Sequence, residues 1–157
     1  MEVKNHTISL LVNNKPDVLA RISGLLSGRG FNIESISANV TMNPEVTKIT
    51  MVTKGDTNTV VKIEKQMQKL VDVIEVTHVK TRSSVQREMV LIRVSVTRDN
   101  RGGIIKAIEE FGSRVVAEGP DYFLFELTGA KKDIDRALAY FETLGIEDMS
   151  RSGMVVL

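Results

Sequence analysis

At Pro16 the apolar period of this chain changes from two residues to between three and four. Ile8, Leu10 and Val12 alternate, as on one face of a strand, while Val18, Leu19, Ile22, Leu25 and Leu26 recur as on one stripe of a helix. The switch predicts a strand over 6–12 and a helix over 16–27, with Pro16 at the first helical position, where its missing N–H is no loss. Gly28 and Gly30 supply the stop, and Gly24 reads as a place of close packing. A turn that ends on a helix N-terminus presents unpaired N–H groups and the positive end of the helix dipole. That is a seat for a small anion such as an amino-acid carboxylate.

The rhythm continues. Residues 31–41 and 46–53 read as a hairpin turning at Met42-Asn43-Pro44-Glu45. Asp56 caps a second helix, which faces the core with Val60, Ile63, Met67 and Leu70. Residues 72–79 follow as a strand carrying Val73, Ile74, Val76 and Val79. After the polar break Thr81-Arg82-Ser83-Ser84 the same order returns. It runs through a strand over 87–96, a helix with Ile104, Ile105, Ile108 and Phe111, and a hairpin of 113–118 and 121–128 around Gly119-Pro120. A helix over about 130–143 with Ile134, Ala137, Leu138 and Phe141 ends at Gly145, before a short strand.

The expected fold is therefore α+β: two tandem ferredoxin-like βαββαβ units, each an antiparallel sheet with helices on one face only. The boundaries are 1–80 for the first unit, 81–86 for a linker and 87–157 for the second. A chain of 157 residues makes each half small for a lone core. The bare sheet faces and edge strands need cover, and a second copy provides it, so a homodimer is expected.

Composition narrows the function. A formal net charge of +1 gives no long-range field for nucleic acid or an anionic membrane. No apolar run reaches the roughly 18 residues of a bilayer span. The polar start Met1-Glu2-Val3-Lys4-Asn5-His6 has no signal-peptide core behind it, so the expected location is cytoplasmic. Without cysteine there are no disulfides and no thiolate chemistry. His6 and His78 are the only histidines, both on predicted strands, and read as satisfied or solvent-facing. No serine lies in a G-x-S-x-G turn, and neither catalytic residues nor a metal site are expected.

Two other functions of the βαββαβ plan fail on motif. An RNA-binding sheet needs stacking aromatics on its central strands, and 46–53 has none. Tyr122, Phe123 and Phe125 alternate with Leu124 and Leu127 and read as core. A small acylphosphatase-like hydrolase needs a glycine-rich anion loop, which Asn13-Asn14-Lys15-Pro16-Asp17 is not.

Ser9–Arg21 together with Arg29-Gly30-Phe31-Asn32-Ile33-Glu34-Ser35, Ile63-Glu64-Lys65-Gln66 and Lys69-Leu70-Val71-Asp72-Val73 resembles the small regulatory subunit of acetohydroxyacid (acetolactate) synthase. Val85-Gln86-Arg87-Glu88-Met89-Val90 and Ser150-Arg151-Ser152-Gly153 extend the resemblance to nearly the whole chain. The first half is similar to an ACT domain, an amino-acid-sensing module. The resemblance implies a non-catalytic chain that binds the large subunit, which holds thiamine diphosphate, magnesium and FAD. This chain itself would hold no cofactor. It would raise large-subunit activity and confer feedback inhibition by a branched-chain amino acid, usually valine. The alternative is a free-standing ACT-type sensor controlling another enzyme or regulator.

In such subunits the amino acid sits where two ACT domains of a dimer meet. Carried onto this chain, the contacts are Asn14, Pro16, Asp17, Val18 and Leu19 on the turn, with Asn32 and Ile33 on the following strand. Asn14 and Asn32 can donate and accept, which suits ammonium and carboxylate on one ligand. Val18, Leu19 and Ile33 suit a small aliphatic side chain. The family commonly has glycine where this chain has Asp17. Two like charges about 4 Å apart repel by roughly 1 kcal/mol in water and about 4 kcal/mol at an effective dielectric of 20. Weakened feedback is the expectation at that position.

Overall fold

The computed structural model describes residues 4–28 and 31–157. Its contacts divide the chain into two units, one running up to Val85 and including Met154–Leu157, the other Gln86–Gly153. In the first, β1 (Lys4–Asn13), α1 (Val18–Ser27), β2 (Ile33–Val40), β3 (Val46–Gly55), α2 (Thr57–Met67) and β4 (Val73–Val79) follow in sequence. The sheet has the order β2-β3-β1-β4, and every neighbouring pair is antiparallel.

The alternation seen in the sequence produces this sheet. Ile8 stands opposite Met51 and Leu10 opposite Ile49, so one face of β1 and β3 is apolar. That face packs on Val18, Ile22 and Leu26 of α1 and on Val60, Ile63 and Met67 of α2. Burying each such side chain contributes roughly 1.5–3 kcal/mol. Asp56 caps α2 as expected, accepting from the Thr59 N–H at 2.8 Å. Residues at the far end of the sequence complete this unit. Val85 and Leu157 exchange backbone hydrogen bonds of 2.8 and 3.0 Å, and the buried Met154 donates its N–H to Ser35 Oγ at 3.3 Å.

The second unit repeats the plan with β5 (Gln86–Ser95), α3 (Arg101–Phe111), β6 (Arg114–Glu118), β7 (Tyr122–Gly129), α4 (Lys131–Leu144) and β8 (Ile146–Arg151). Its strand order is β6-β7-β5-β8. The core joins Val90, Ile92 and Val94 to Ile104 and Ala107 of α3, Phe125 of β7 and Ile134 and Phe141 of α4. Gly145 closes α4 at φ +98°, a conformation open to glycine because it has no Cβ. No helix among the described residues is long and apolar enough to cross a membrane.

Several local expectations are corrected. Helix α1 begins at Val18, not Pro16, because the Val18 N–H closes a turn onto the Lys15 carbonyl at 3.4 Å and the first helical bond runs from Arg21 to Asp17. A Cβ on Gly24 would meet nothing within 4 Å, so close packing is not its role. Gly28 does end α1 as its C-cap, in right-handed geometry at φ −63°. Gly30, expected to share that stop, lies outside the described residues, as do Arg29 and residues 1–3. Ile74 and Ile105 are exposed, and in α3 Ala107 takes the buried place, one helical turn from Ile104. Tyr122 is not core: it lies beneath the Arg93 guanidinium, 3.9 Å from ring centre to Cζ.

Candidate functional site

The turn that joins β1 to α1 is held from both sides. The Asn14 N–H donates to the Glu45 carbonyl at 2.8 Å and the Lys15 N–H to the Asn13 carbonyl at 2.9 Å. The Asn14 side chain donates to the Pro44 carbonyl at 2.9 Å and accepts from Thr47 Oγ1 at 3.1 Å, tying the turn to the β2–β3 hairpin. Asp17 is the N-cap residue of α1 but makes no capping bond. Its carboxylate pairs instead with the guanidinium of Arg21, one helical turn further on. The N–H groups of the first turn of α1 therefore receive no cap from Asp17, and the dipole end stays open.

A groove of about 420 Å³ lies beside this turn. Pro16, Val18 and Leu19 form one wall, and Ala38, Val40 and Ile49 the apolar floor. Asn13, Asn14, Lys15 and Thr47 make its polar end. Leu19 is 42% exposed and Val40 55%, so the apolar part faces outward at the free edge of β2.

Asn14, Pro16, Val18 and Leu19, four of the residues singled out in the sequence, thus meet in one groove. Asp17 is turned away towards Arg21. Asn32 and Ile33 are at the other end of β2, where Ile33 stands opposite Thr53, whereas Val40 stands opposite Thr47. At ~3.3 Å per residue the strand puts about 23 Å between Ile33 and Val40. Asn32 donates to Glu34 Oε1 at 3.0 Å, and its carbonyl accepts from Thr53 Oγ1 at 2.8 Å.

Sequence reasoning missed Asp72, in the loop between α2 and β4. It is 5% exposed and accepts from Lys15 Nζ at 2.6 Å, from Asn13 Nδ2 at 3.2 Å and from Arg21 Nη1 at 3.3 Å. The Lys15 hydrogen bond first, then that of Asn13, hold its carboxyl below the usual value, against the opposing effect of burial. Its position in the Lys-Leu-Val-Asp-Val stretch was visible, but not its reach across to a turn 57 residues earlier.

The histidines meet at the opposite end of the first sheet. His6 Nδ1 lies 3.2 Å from His78 Nε2, and His6 Nε2 lies 3.2 Å from the Gly55 carbonyl oxygen. His78 Nδ1 is 3.3 Å from Glu64 Oε1, a charge contact without hydrogen-bond alignment. Among the described residues, no group of three or more His, Cys, Asp or Glu side chains is arranged to hold a metal.

Comparison with known proteins decides the family. Residues 8–75 match the model of the small-subunit-like ACT domain of acetohydroxyacid synthase, and residues 87–157 match the model of the small subunit of acetolactate synthase. The chain belongs to the acetolactate synthase small-subunit family. A probable acetolactate synthase small subunit of Archaeoglobus fulgidus is 39% identical over 152 residues, covering 97% of this chain and 95% of that protein. The acetolactate synthase small subunit of Mycobacterium bovis is 36% identical over 157 residues, or 100% of this chain and 94% of that one. The crystal structure of the acetolactate synthase small subunit of Thermotoga maritima superposes with a TM-score of 0.89 at 32% identity, covering 98% of this chain and 96% of that one.

The tandem βαββαβ plan is thus that of the small-subunit family over its length. The groove lies within the segment matched by the family's ACT model.

Proposed function

We propose that this chain is a non-catalytic regulatory subunit. It binds the large catalytic subunit of acetolactate synthase, raises its activity and carries feedback inhibition by a branched-chain amino acid, valine foremost. On this reading thiamine diphosphate, magnesium and FAD belong to the large subunit, and this chain contributes control.

The observation that carries the reading is the groove where the uncapped start of α1 meets the free edge of β2. A ligand carboxylate finds N–H donors and the positive dipole end there. An aliphatic side chain finds Val18, Leu19, Val40 and Ile49.

The separation of Asn32 and Ile33 from the groove supports a homodimer. β2 is an edge strand with Ile36 and Val40 exposed. Antiparallel pairing of two such edges runs the end that bears Asn32 and Ile33 in one copy beside the Val40 end of the other. Two chains then assemble at one place the positions that a single chain separates. Ligand acts by binding one packing of the pair more tightly than another.

Arg21 moderates the effect expected of Asp17. With the guanidinium paired to its carboxylate, much of the repulsion felt by a ligand carboxylate is offset. Asp17→Gly is expected to tighten valine only a few-fold, as read by calorimetric titration.

The deciding experiment measures acetolactate formation by the cognate large subunit, with and without this chain and with and without valine. Activation with valine inhibition is the expected result. No change in activity at any ratio would discard the proposal.

A further inference from the structure

We infer that Asp72 is a positioning residue of the effector groove: its carboxylate anchors Asn13, Lys15 and Arg21 and so fixes the turn that an amino acid would meet. This rests on the effector reading above and deepens it by naming what sets affinity at a distance from the ligand.

Asp72 does not line the groove, yet it holds two residues that do, Asn13 and Lys15. One carboxylate oxygen, Oδ1, receives both the Asn13 amide at 3.2 Å and the Lys15 ammonium at 2.6 Å. The other, Oδ2, receives Arg21 Nη1 at 3.3 Å, and Arg21 in turn grips Asp17. The Asp72 backbone joins in, its carbonyl accepting the Asn13 N–H at 2.8 Å. Three points along residues 13–21 are therefore tied to one nearly buried anion.

The charges match. Lys15 and Arg21 bring two positive groups, and Asp17 and Asp72 two negative ones, so the network is neutral without a ligand. Asp72 is 5% exposed while Lys15 and Arg21 have side chains 57% and 55% exposed. The fixed member is the carboxylate, and the mobile cations are drawn to it. Without its charge, Lys15 at the groove and Arg21 on α1 lose their buried partner, and the turn loses its anchors. At metal sites, groups that orient the ligating side chains from behind change affinity by about 10- to 100-fold, and Asp72 stands in the same relation to Asn13 and Lys15.

The test uses the full-length chain with valine as probe, read by calorimetry, and amide hydrogen exchange without ligand. Asp72→Asn is expected to weaken valine by about tenfold, the scale of one charged hydrogen bond. It should also speed exchange at Asn13, Asn14 and Arg21. Asp56→Ala, which strips the cap of α2 in the same unit, is the control for general destabilisation. It should lower thermal stability and leave valine affinity within about twofold, as a change remote from the groove would. Should Asp72→Asn fail to fold, Lys15→Met removes one arm of the network and is expected to show a smaller loss of the same kind.

Wild-type affinity in Asp72→Asn, unchanged exchange, or an equal loss in Asp56→Ala would each overturn the inference. Wild-type protein that binds no branched-chain amino acid would instead overturn the effector reading. The anchoring of the turn would then stand or fall on the exchange result alone.

Discussion

Lys48 on β3 donates through Nζ to the carbonyl oxygen of Val156, 2.8 Å away and 108 residues later in the sequence. The contact makes residues 154–157 part of the first sheet's support, together with the Val85–Leu157 backbone pair. Met154 is 4% exposed. Met154→Ala is therefore expected to destabilise the first unit by about 2–5 kcal/mol, the usual cost of emptying a buried methionine site. Hydrogen exchange of the full chain should speed up in β2 and β3. A change confined to the strands of the second unit would contradict the assignment.

Asn100 joins three elements of the second unit. Its Nδ2 donates to the Ser95 carbonyl at 2.7 Å and the Leu144 carbonyl at 2.9 Å, and its Oδ1 accepts from the Thr97 N–H at 2.9 Å. Asn100→Ala should cost about 1–3 kcal/mol in urea unfolding, because carbonyls at the ends of β5 and α4 lose their donor. Asn100→Asp should cost more, since a carboxylate oxygen would then face those carbonyls. Equal stability of Asn100→Asp and wild type would refute the role of the amide.

The sheet and its helices were legible because periodicity is local. Ile8, Leu10 and Val12 show a two-residue period in the sequence, and that period decides which face meets α1 and α2. Helix faces were less secure where an apolar run is dense: Ile104 and Ile105 look equivalent, but the packing against β5 and α4 selects Ile104 and Ala107. The groove was half legible. Asn14, Pro16, Val18 and Leu19 lie in one continuous segment. Ala38, Val40 and Ile49 reach the same place, and Asp72 the turn behind it, only through strand order and register, which no short pattern encodes. The pairing of Asp17 was not legible for a related reason: its partner Arg21 is visible one helical turn away, but the choice between capping and pairing is made by the turn's geometry.

Glu88 and Arg151, from two stretches that carried the family resemblance, form the best-satisfied ion pair of the second unit. Arg151 Nε donates to Glu88 Oε2 at 3.2 Å, Nη2 donates to Glu88 Oε1, and Nη1 donates to Asp135 Oδ1 at 2.9 Å. Glu88 is 6% exposed, so removing its partner leaves a buried charge. Arg151→Met is expected to cost about 3–5 kcal/mol. Adding Glu88→Met should restore most of that loss, because a pair replaced by apolar side chains leaves nothing unsatisfied. A double variant as unstable as the single one would show that the arginine acts through packing and not through the pair.

Asp72 gives the first unit a defined response to acid. The hydrogen bond from Lys15, then that from Asn13, lower its carboxyl from the ordinary value of 3.8 in the folded chain. The unfolded chain therefore binds this proton at a higher pH than the folded chain does, and stability falls as pH falls. The contribution is whole above the unfolded value of about 4 and is lost as pH drops through the folded value. Asp56 and Asp135 are lowered as well, so wild-type stability declines in acid for several reasons at once. The gap between wild type and Asp72→Asn isolates one of them. Urea unfolding of both proteins should show a constant gap from neutrality down to about pH 5, closing below about pH 4 as Asp72 takes up its proton. A gap that stays constant to the lowest pH at which the protein folds would show that the charge of Asp72 does not hold the turn.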